Sequence, residues 1–337
     1  MSTSRGRLLV VTPKFHGYWR SIARAFRELG YAVSTHRYDE RPTALAGAMH
    51  KLRYEVPPLF GHPTTAAVAT RASEHARRAV LEAKPDLVLV IKGDKLTDAF
   101  WAAVERVGAR AGLWLYDELR RTKHTEESLN RVHRIASYSR ADVAALIRRG
   151  HDARHVPLAY DPSIPVVPAP GRDVVFVGAR YPNRERALLT LSEAGLSVRA
   201  YGRDWSRHPV DRIRSLHWSR PAVSSGRDVD LAEAYGLMAG AAATLNIHGD
   251  QDGFTMRTFE ACGVGAVQLT DRADVAEFYV PGSELAVFSS QDELVELARR
   301  ATTDRAWGDG LRRAGRARTL AEHTFAHRAK ALEELWA

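Results

Sequence analysis

Cysteine is almost missing from this chain: Cys262 is the sole one in 337 residues. One thiol excludes an internal disulfide and any zinc cluster built on cysteines. Its neighbours suggest a small packing residue in a helix. No apolar run approaches the ~20 residues that a membrane-spanning helix needs. Near the start, Leu8-Leu9-Val10-Val11 is too short for a signal peptide's apolar stretch, and no small-residue cleavage site follows. That run reads as the first strand of a cytoplasmic protein. The first half has no glycine triplet of the dinucleotide-binding kind, so no Rossmann cofactor site is expected there. A P-loop is absent, which argues against a kinase of that type. A Gly-x-Ser-x-Gly elbow is absent too, which argues against a serine hydrolase. His323 and His327 stand four apart near the end, but no Glu follows the first as in a zinc protease. No metal site is expected.

Basic residues are in excess. Lys and Arg number 49 against 40 Asp and Glu, a net charge of +9. Nucleic-acid binding is one reading of such a balance. The basic residues are spread through helices rather than massed in a tail, and no aromatic–basic module is visible. The expectation is no nucleic-acid partner, with a positive field that favours anionic substrates such as nucleotide diphosphates. Hydrophobic residues make up 45% of the chain, normal for a protein with real cores, and the length suits two ordinary domains.

Strand and helix patterns alternate along the chain. Residues 7–12 read as a buried strand, 13–18 as a loop, 21–30 as a helix stopped by Gly30, and 31–36 as a strand. Residues 42–63 hold four prolines and could include a short helix at 44–52. A helix at 65–83 leads to a strand at 86–91, which ends in Lys92-Gly93-Asp94. Then come a helix at 97–109, a strand at 112–116 ending in Asp117-Glu118, a strand at 134–139, a helix at 141–149 and a strand at 155–159. Residues 161–172 carry Pro162, Pro165, Pro168, Pro170 and Gly171, the composition of a linker. The alternation restarts with a strand at 173–178, a helix at 184–195 and a strand at 196–201. A helix at 229–240, a strand at 243–247, a polar loop, a helix from Thr255 to Gly263 and a strand at 265–269 follow. A short strand at 285–288 and helices at 291–301, 304–315 and 324–336 complete the chain. The pattern implies two doubly wound α/β domains facing a cleft. Their expected bounds are 1–162 and 173–323, with 163–172 between.

Ligands of open α/β sheets bind at the carboxyl ends of strands, so chemistry is sought in the loops there. The densest such loop runs from His248 through Asp252, Gly253 and Phe254 into the helix that bears Glu260. A carboxylate accepts two hydrogen bonds at once and suits a vicinal diol such as that of ribose. Glu260 on an inward face would do that. Alternatively it pairs with Arg257 on the surface, and Asp252 merely caps the helix. Arg180, Arg184 and Arg186 follow Gly178 at the end of a strand. An arginine there could clamp a diphosphate bidentately, Arg180 before Arg184, or all three could be solvated helix-start charges. In the first half, His16 and Gly17, Lys92 and Asp94, and Asp117 also end strands. His16 could bind a hydroxyl or phosphate, and Gly17 permits close approach of an acceptor. Asp117 could hold an acceptor hydroxyl or act as a base, or cap a helix.

Asp252-Gly253-Phe254 with Glu260-Ala261-Cys262-Gly263-Val264 resembles the Glu-x7-Glu segment of retaining GT-B glycosyltransferases. Asp252 through Glu260, followed by Gly265-Ala266-Val267-Gln268-Leu269-Thr270-Asp271, is similar to the CgeB-like glycosyltransferase family. Phe176-Val177-Gly178, Tyr201-Gly202-x-x-Trp205 and Leu245-Asn246-Ile247 match other landmarks of that family. The likeness is closest over 173–300 and looser before it. It implies two Rossmann-like domains of the GT-B fold, with a nucleotide-sugar donor held by the second and no metal or other cofactor. Glu260 would then hold the donor ribose, and Asp252 with Gly253, Phe254 and Thr255 would meet the sugar or its phosphates. Gly178, Arg180 and Arg184 would face the diphosphate, and an acceptor would sit near His16, Gly17, Lys92, Asp94 and Asp117. The final helix would return to the first domain. The first acid is Asp where the pattern has Glu. Rival expectations are a non-catalytic relative on the same scaffold, a nucleic-acid-binding protein and a nucleotide-sugar epimerase.

Overall fold

The structure, a computed structural model, describes residues 5–40, 65–215 and 219–337. The expected helix at 44–52 lies outside these residues. The chain forms two compact units, one of Met1–Pro157 with Phe325–Ala337 and one of Leu158–Thr324.

In the first unit the strands are β1 (Arg7–Thr12), β2 (Ala32–Arg37), β3 (Leu87–Ile91), β4 (Arg110–Leu115), β5 (Arg134–Ser137) and β6 (Ala153–His155). They form one sheet in the order β2-β1-β3-β4-β5-β6, and every pairing is parallel. All five residues of β3 are buried, as expected of a strand covered on both faces. Helices α1 (Tyr18–Glu28), α2 (Thr65–Ala83), α3 (Asp98–Arg106), α4 (Glu126–Asn130) and α5 (Arg140–Arg148) connect them. β6 ends earlier than the pattern at 155–159 suggests. Val156 N–H still bonds the Ser137 carbonyl, but Pro157 has no N–H to extend the ladder. The short α4 escapes the sequence pattern because its order comes from a capping box, in which Thr125 and Ser128 satisfy each other's backbone N–H groups.

The second unit repeats the plan. Its strands are β7 (Val174–Val177), β8 (Val198–Tyr201), β9 (Ser224–Gly226), β10 (Ala243–Asn246), β11 (Gln268–Thr270) and β12 (Ala286–Val287). They lie in the order β12-β11-β10-β7-β8-β9, again all parallel. The helices are α6 (Pro182–Glu193), α7 (Pro209–Ser215), α8 (Leu231–Gly240), α9 (Met256–Gly263), α10 (Gln291–Thr303) and α11 (Arg305–Glu322). β9 is a Ser-Ser-Gly edge strand with no apolar residue to signal it. Helix α11 runs past Gly315, where a stop was expected. That glycine is interior to the helix, and a Cβ there would overlap the Glu284 carbonyl. The proline-rich segment belongs to this unit. Ala169 N–H bonds the Gly236 carbonyl at 2.9 Å, and a Cβ on Gly240 would overlap the Ala169 carbonyl. Gly236 and Gly240 thus make a notch one helical turn long in which the segment lies.

The chain returns to the first unit as α12 (Phe325–Glu333). Phe325 meets Tyr18 at 6.2 Å between ring centroids, and Trp336 meets Phe26 at 5.9 Å. Arg134 Nη1 donates to the Glu334 carbonyl at 2.6 Å and Arg110 to that of Trp336, so guanidinium groups satisfy carbonyls after the last helical turn. Among the described residues no helix is long and apolar enough to cross a membrane.

Candidate functional site

In each sheet the connections leave one strand in opposite directions, which creates a switch point. In the second unit it lies between β7 and β10, and the loops after these two strands flank it. Gly178 follows β7, and its N–H bonds the Tyr201 carbonyl while its own carbonyl accepts from Trp205 Nε1 at 2.9 Å. Pro182 opens α6 at its first position, where a missing N–H costs nothing. That start aims Asn183 and Arg184 at the neighbouring loop. Asn183 Nδ2 donates to the His248 carbonyl at 2.7 Å, and Arg184 Nε donates to the Ile247 carbonyl at 2.9 Å. Arg184 Nη1 also reaches the Ala179 carbonyl, and its guanidinium lies 4.7 Å from the Tyr181 ring centroid. Burial pulls the Arg184 pKa down, the Tyr181 and Asp271 charges oppose this, and the Arg257 charge adds to it.

The loop after β10 is held from its other side by β11. Asp271, just past that strand, accepts the His248 backbone N–H and lies 2.9 Å from His248 Nδ1. A carboxylate partner means that Nδ1 carries the proton. Arg272 Nη1 donates to the Gln251 carbonyl at 2.9 Å, and its guanidinium stands 4.1 Å over the buried Phe254 ring. Phe254 in turn meets His248 and Phe278 edge to face. Gly253 is buried with it, whereas Asp252 is exposed at the tip of the loop.

Thr255, not Asp252, occupies the N-cap position of α9, and its side chain makes no capping bond. Under the helix, Asn246 Nδ2 donates to Thr258 Oγ1 at 2.9 Å and Gln268 Nε2 to the Thr258 carbonyl at 3.3 Å. This polar layer fixes the helix against β10 and β11. Glu260 is fully buried, at 0% exposure. Tyr235 OH donates to its Oε1 at 3.2 Å, and Arg257 Nη1 lies 3.0 Å from its Oε2. The pair with Arg257 is therefore present, but within the protein rather than on its surface.

Arg180 is committed elsewhere. Its Nη2 and Nε bond Glu185 at 2.7 and 3.0 Å, and its Nη1 bonds the Ser219 carbonyl at 2.9 Å. Arg186 is exposed. His323 donates from Nε2 to the Phe278 carbonyl, and His327 lies in the other unit. Among the described residues no three His, Cys, Asp or Glu side chains gather as metal ligands would.

In the first unit the switch point lies between β1 and β3. Past β1, His16 and Gly17 both have positive φ, and the Phe15 ring is 55% exposed. Past β3, Lys92 also has positive φ, and its Nζ forms an ion pair with Asp117 Oδ2 at 2.6 Å. His124 lies beneath and donates from Nε2 to the Lys92 carbonyl at 2.6 Å. Asp94 is half-buried, and its Oδ1 has no hydrogen-bond partner among the described residues. All five first-half candidates thus end strands on the carboxyl side of this sheet, and Lys92 and Asp117 are in contact.

Sequence reasoning passes over Asn183, Tyr235, His248 and Arg272 as functional residues. The signal for Asp271 and Arg272 was their place directly after a strand.

Residues 184–334 match the glycosyl transferase-like family. No curated protein matches the chain. Among solved structures, sucrose-phosphate synthase from Thermosynechococcus elongatus is 15% identical, with 98% of each chain covered and a TM-score of 0.64. Anabaena HepE in complex with UDP-glucose is 13% identical, with 98% of this chain and 99% of that one covered and a TM-score of 0.63. A putative UDP-N-acetylglucosamine 2-epimerase from Listeria monocytogenes is 12% identical, with 97% and 94% covered and a TM-score of 0.59. These likenesses show the fold. Two parallel six-stranded sheets with flanking helices are the GT-B architecture, and the glycosyl transferase-like match covers most of the unit that carries Arg184, the His248 loop and Glu260 and runs on into α12.

Proposed function

We propose that this chain transfers a glycosyl group from a nucleoside diphosphate sugar to a small-molecule, glycan or protein acceptor, as a CgeB-like glycosyltransferase. The observation that carries the reading is a buried carboxylate, Glu260, paired with the Arg257 guanidinium, in the unit where Arg184 holds the loop at the switch point of the sheet. A carboxylate suits a ribose diol, and guanidinium groups suit a diphosphate. In this reading Glu260 takes the ribose and Arg184 the diphosphate. Sequence order favoured Arg180 for the diphosphate, but Glu185 already occupies its fork. Gly253, Phe254 and Thr255 bring the loop and the start of α9 to the sugar, with Asp252 at its rim.

Departure of the diphosphate runs ahead of acceptor attack. Fixed cations in a partly desolvated site stabilise the leaving charge without reorganising. The anomeric carbon becomes oxocarbenium-like, and an acceptor hydroxyl attacks with retention and loses its proton, for which His16 and Asp117 of the first unit are the candidate groups. The reaction uses no metal. Anomeric configuration of the product by NMR tests the stereochemistry, and undiminished turnover in chelator tests the last point.

A thermal-shift screen with nucleoside diphosphates and their sugars is the first experiment, because a specific ligand adds stability by mass action. Glu260→Ala is the second. It should weaken nucleotide binding with the fold intact, and unchanged affinity by calorimetry removes Glu260 from the donor site. Binding without turnover across acceptor panels favours a non-catalytic protein on this scaffold. Conversion of the nucleotide sugar with no acceptor favours an epimerase.

A further inference from the structure

We propose that Arg257 is a gate on Glu260, opened by the phosphates of a nucleoside diphosphate. The proposal rests on the function proposed above and concerns the order in which one ligand's parts engage. Oε1 of Glu260 accepts from the Tyr235 hydroxyl at 3.2 Å, and Oε2 is covered by Arg257 Nη1, an ion pair at 3.0 Å. The carboxylate has no exposure, while the Arg257 side chain keeps 20% of its own. The guanidinium lies against the acid. A ribose diol cannot take both carboxylate oxygens while it stays there.

A neutral nucleoside offers nothing to draw the guanidinium away, and parting a buried ion pair is strongly unfavourable. A diphosphate offers a second anion. Arg257 is the second residue of α9, whose first turn carries no acidic side chain and whose macrodipole also favours an anion. The Arg257 charge also acts on Arg184, whose pKa is lowered mainly by burial. Arg257 Nη1 also donates to the Met238 sulfur at 3.3 Å, a weak acceptor that is easily left. Arg257 thus exchanges carboxylate for phosphate, which uncovers Oε2 of Glu260 toward the ribose while Tyr235 still holds Oε1. The phosphate and diol contacts are coupled through one side chain, so each strengthens the other.

Calorimetry on the whole chain tests this. UDP, GDP, ADP and dTDP are titrated first, then the nucleoside matching the tightest binder. The wild-type protein should bind that nucleoside about a hundredfold more weakly than its diphosphate, and Arg257→Gln should shrink this ratio about tenfold or more. A ratio unchanged in Arg257→Gln, with the diphosphate still bound, overturns the gate and leaves the proposed function standing. If no nucleoside diphosphate binds the wild type, the proposed function falls and the gate with it. A second test needs no variant and so does not depend on Arg257→Gln folding. Saturating inorganic pyrophosphate should tighten wild-type nucleoside binding several-fold, whereas unchanged or weaker binding overturns the gate.

Discussion

Asp271 holds His248 twice, through the backbone N–H at 3.0 Å and through Nδ1 at 2.9 Å, and so joins the end of β11 to the loop after β10. His248 is 3% exposed, so neither donor can turn to water if Asp271 is lost. Each buried donor left unsatisfied costs about 1–3 kcal/mol. Asp271→Ala should therefore lower the melting temperature and also weaken nucleoside diphosphate binding by about tenfold or more, while Asp271→Asn, which keeps one acceptor oxygen, falls between. Calorimetry beside a thermal melt checks both. Wild-type affinity in a destabilised Asp271→Ala protein would show that the loop's geometry does not depend on this pair.

Asp117 and Lys92 form an ion pair on the carboxyl side of the first sheet, and the proposed donor residues belong to the other unit. Asp117→Asn should lower kcat/KM for the acceptor, by about a hundredfold if the carboxylate takes a proton in the reaction. The nucleotide dissociation constant should not move. Steady-state kinetics against acceptor, with calorimetry for the nucleotide, separates the two. A loss confined to nucleotide affinity argues against the role given to Asp117.

Gly240→Ala places a methyl where the Ala169 carbonyl lies, and backbone cannot yield as a flexible side chain does. Overpacking of this kind costs about 1–3 kcal/mol. For a unit of this size that lowers the melting temperature by about 2–4 °C per kcal/mol. The comparison variant is Gly310→Ala on α11, where a Cβ meets nothing within 4 Å. Equal melting temperatures for the two variants would mean that the proline-rich segment does not lie in the notch.

Stability should depend on pH through two histidines of the first unit. Burial holds the pKa of His124 below its usual 6.5, against the opposing effects of its bond to the Lys92 carbonyl and the Asp94 charge. Burial likewise lowers that of His36, with the His75 and Arg37 charges adding to it. The unfolded chain takes up these protons first as pH falls, so their cost is nil above the unfolded value and grows below it. Urea midpoints should be flat from pH 8 to about 7 and fall between about 6.5 and 5. His124→Gln, whose amide can still donate to the Lys92 carbonyl, should make that fall shallower. A slope identical to wild type would place the titration elsewhere.

Much of the architecture was legible in the residues. Runs such as Leu87-Val88-Leu89-Val90-Ile91 can only be buried strands, and the glycine and proline signals between them mark the turns. Element ends were less legible. β6 stops where Pro157 removes a donor, and α11 continues through Gly315 because a neighbouring carbonyl approaches there. Gly236 and Gly240, four apart, carried a readable signal of close approach. Without the packed structure nothing indicated that a proline-rich stretch is what approaches. For the site, the places of Lys92 and Asp117 at strand ends, and of Arg184 and Glu260 on the helices that follow strands, were visible from order alone. Their partners were not, because His248 with Asp271 and Arg184 with Ile247 join residues far apart in the chain.

The amino-acid sequence by itself determined two alternating α/β halves and the loops where chemistry would sit, because strand and helix periodicities are local. It also carried the spacing of Asp252 and Glu260, which a short helix preserves. Tertiary structure alone decided which charges are spent and which are held in reserve. Arg180 and Arg184 are equivalent in the sequence, yet Glu185 claims the first and the end of β10 takes the second. Glu260 could pair with Arg257 at the surface or inside, and only the packing of α8 and α9 puts it inside. Burial and partner choice come from contacts between distant segments, and no local pattern encodes them.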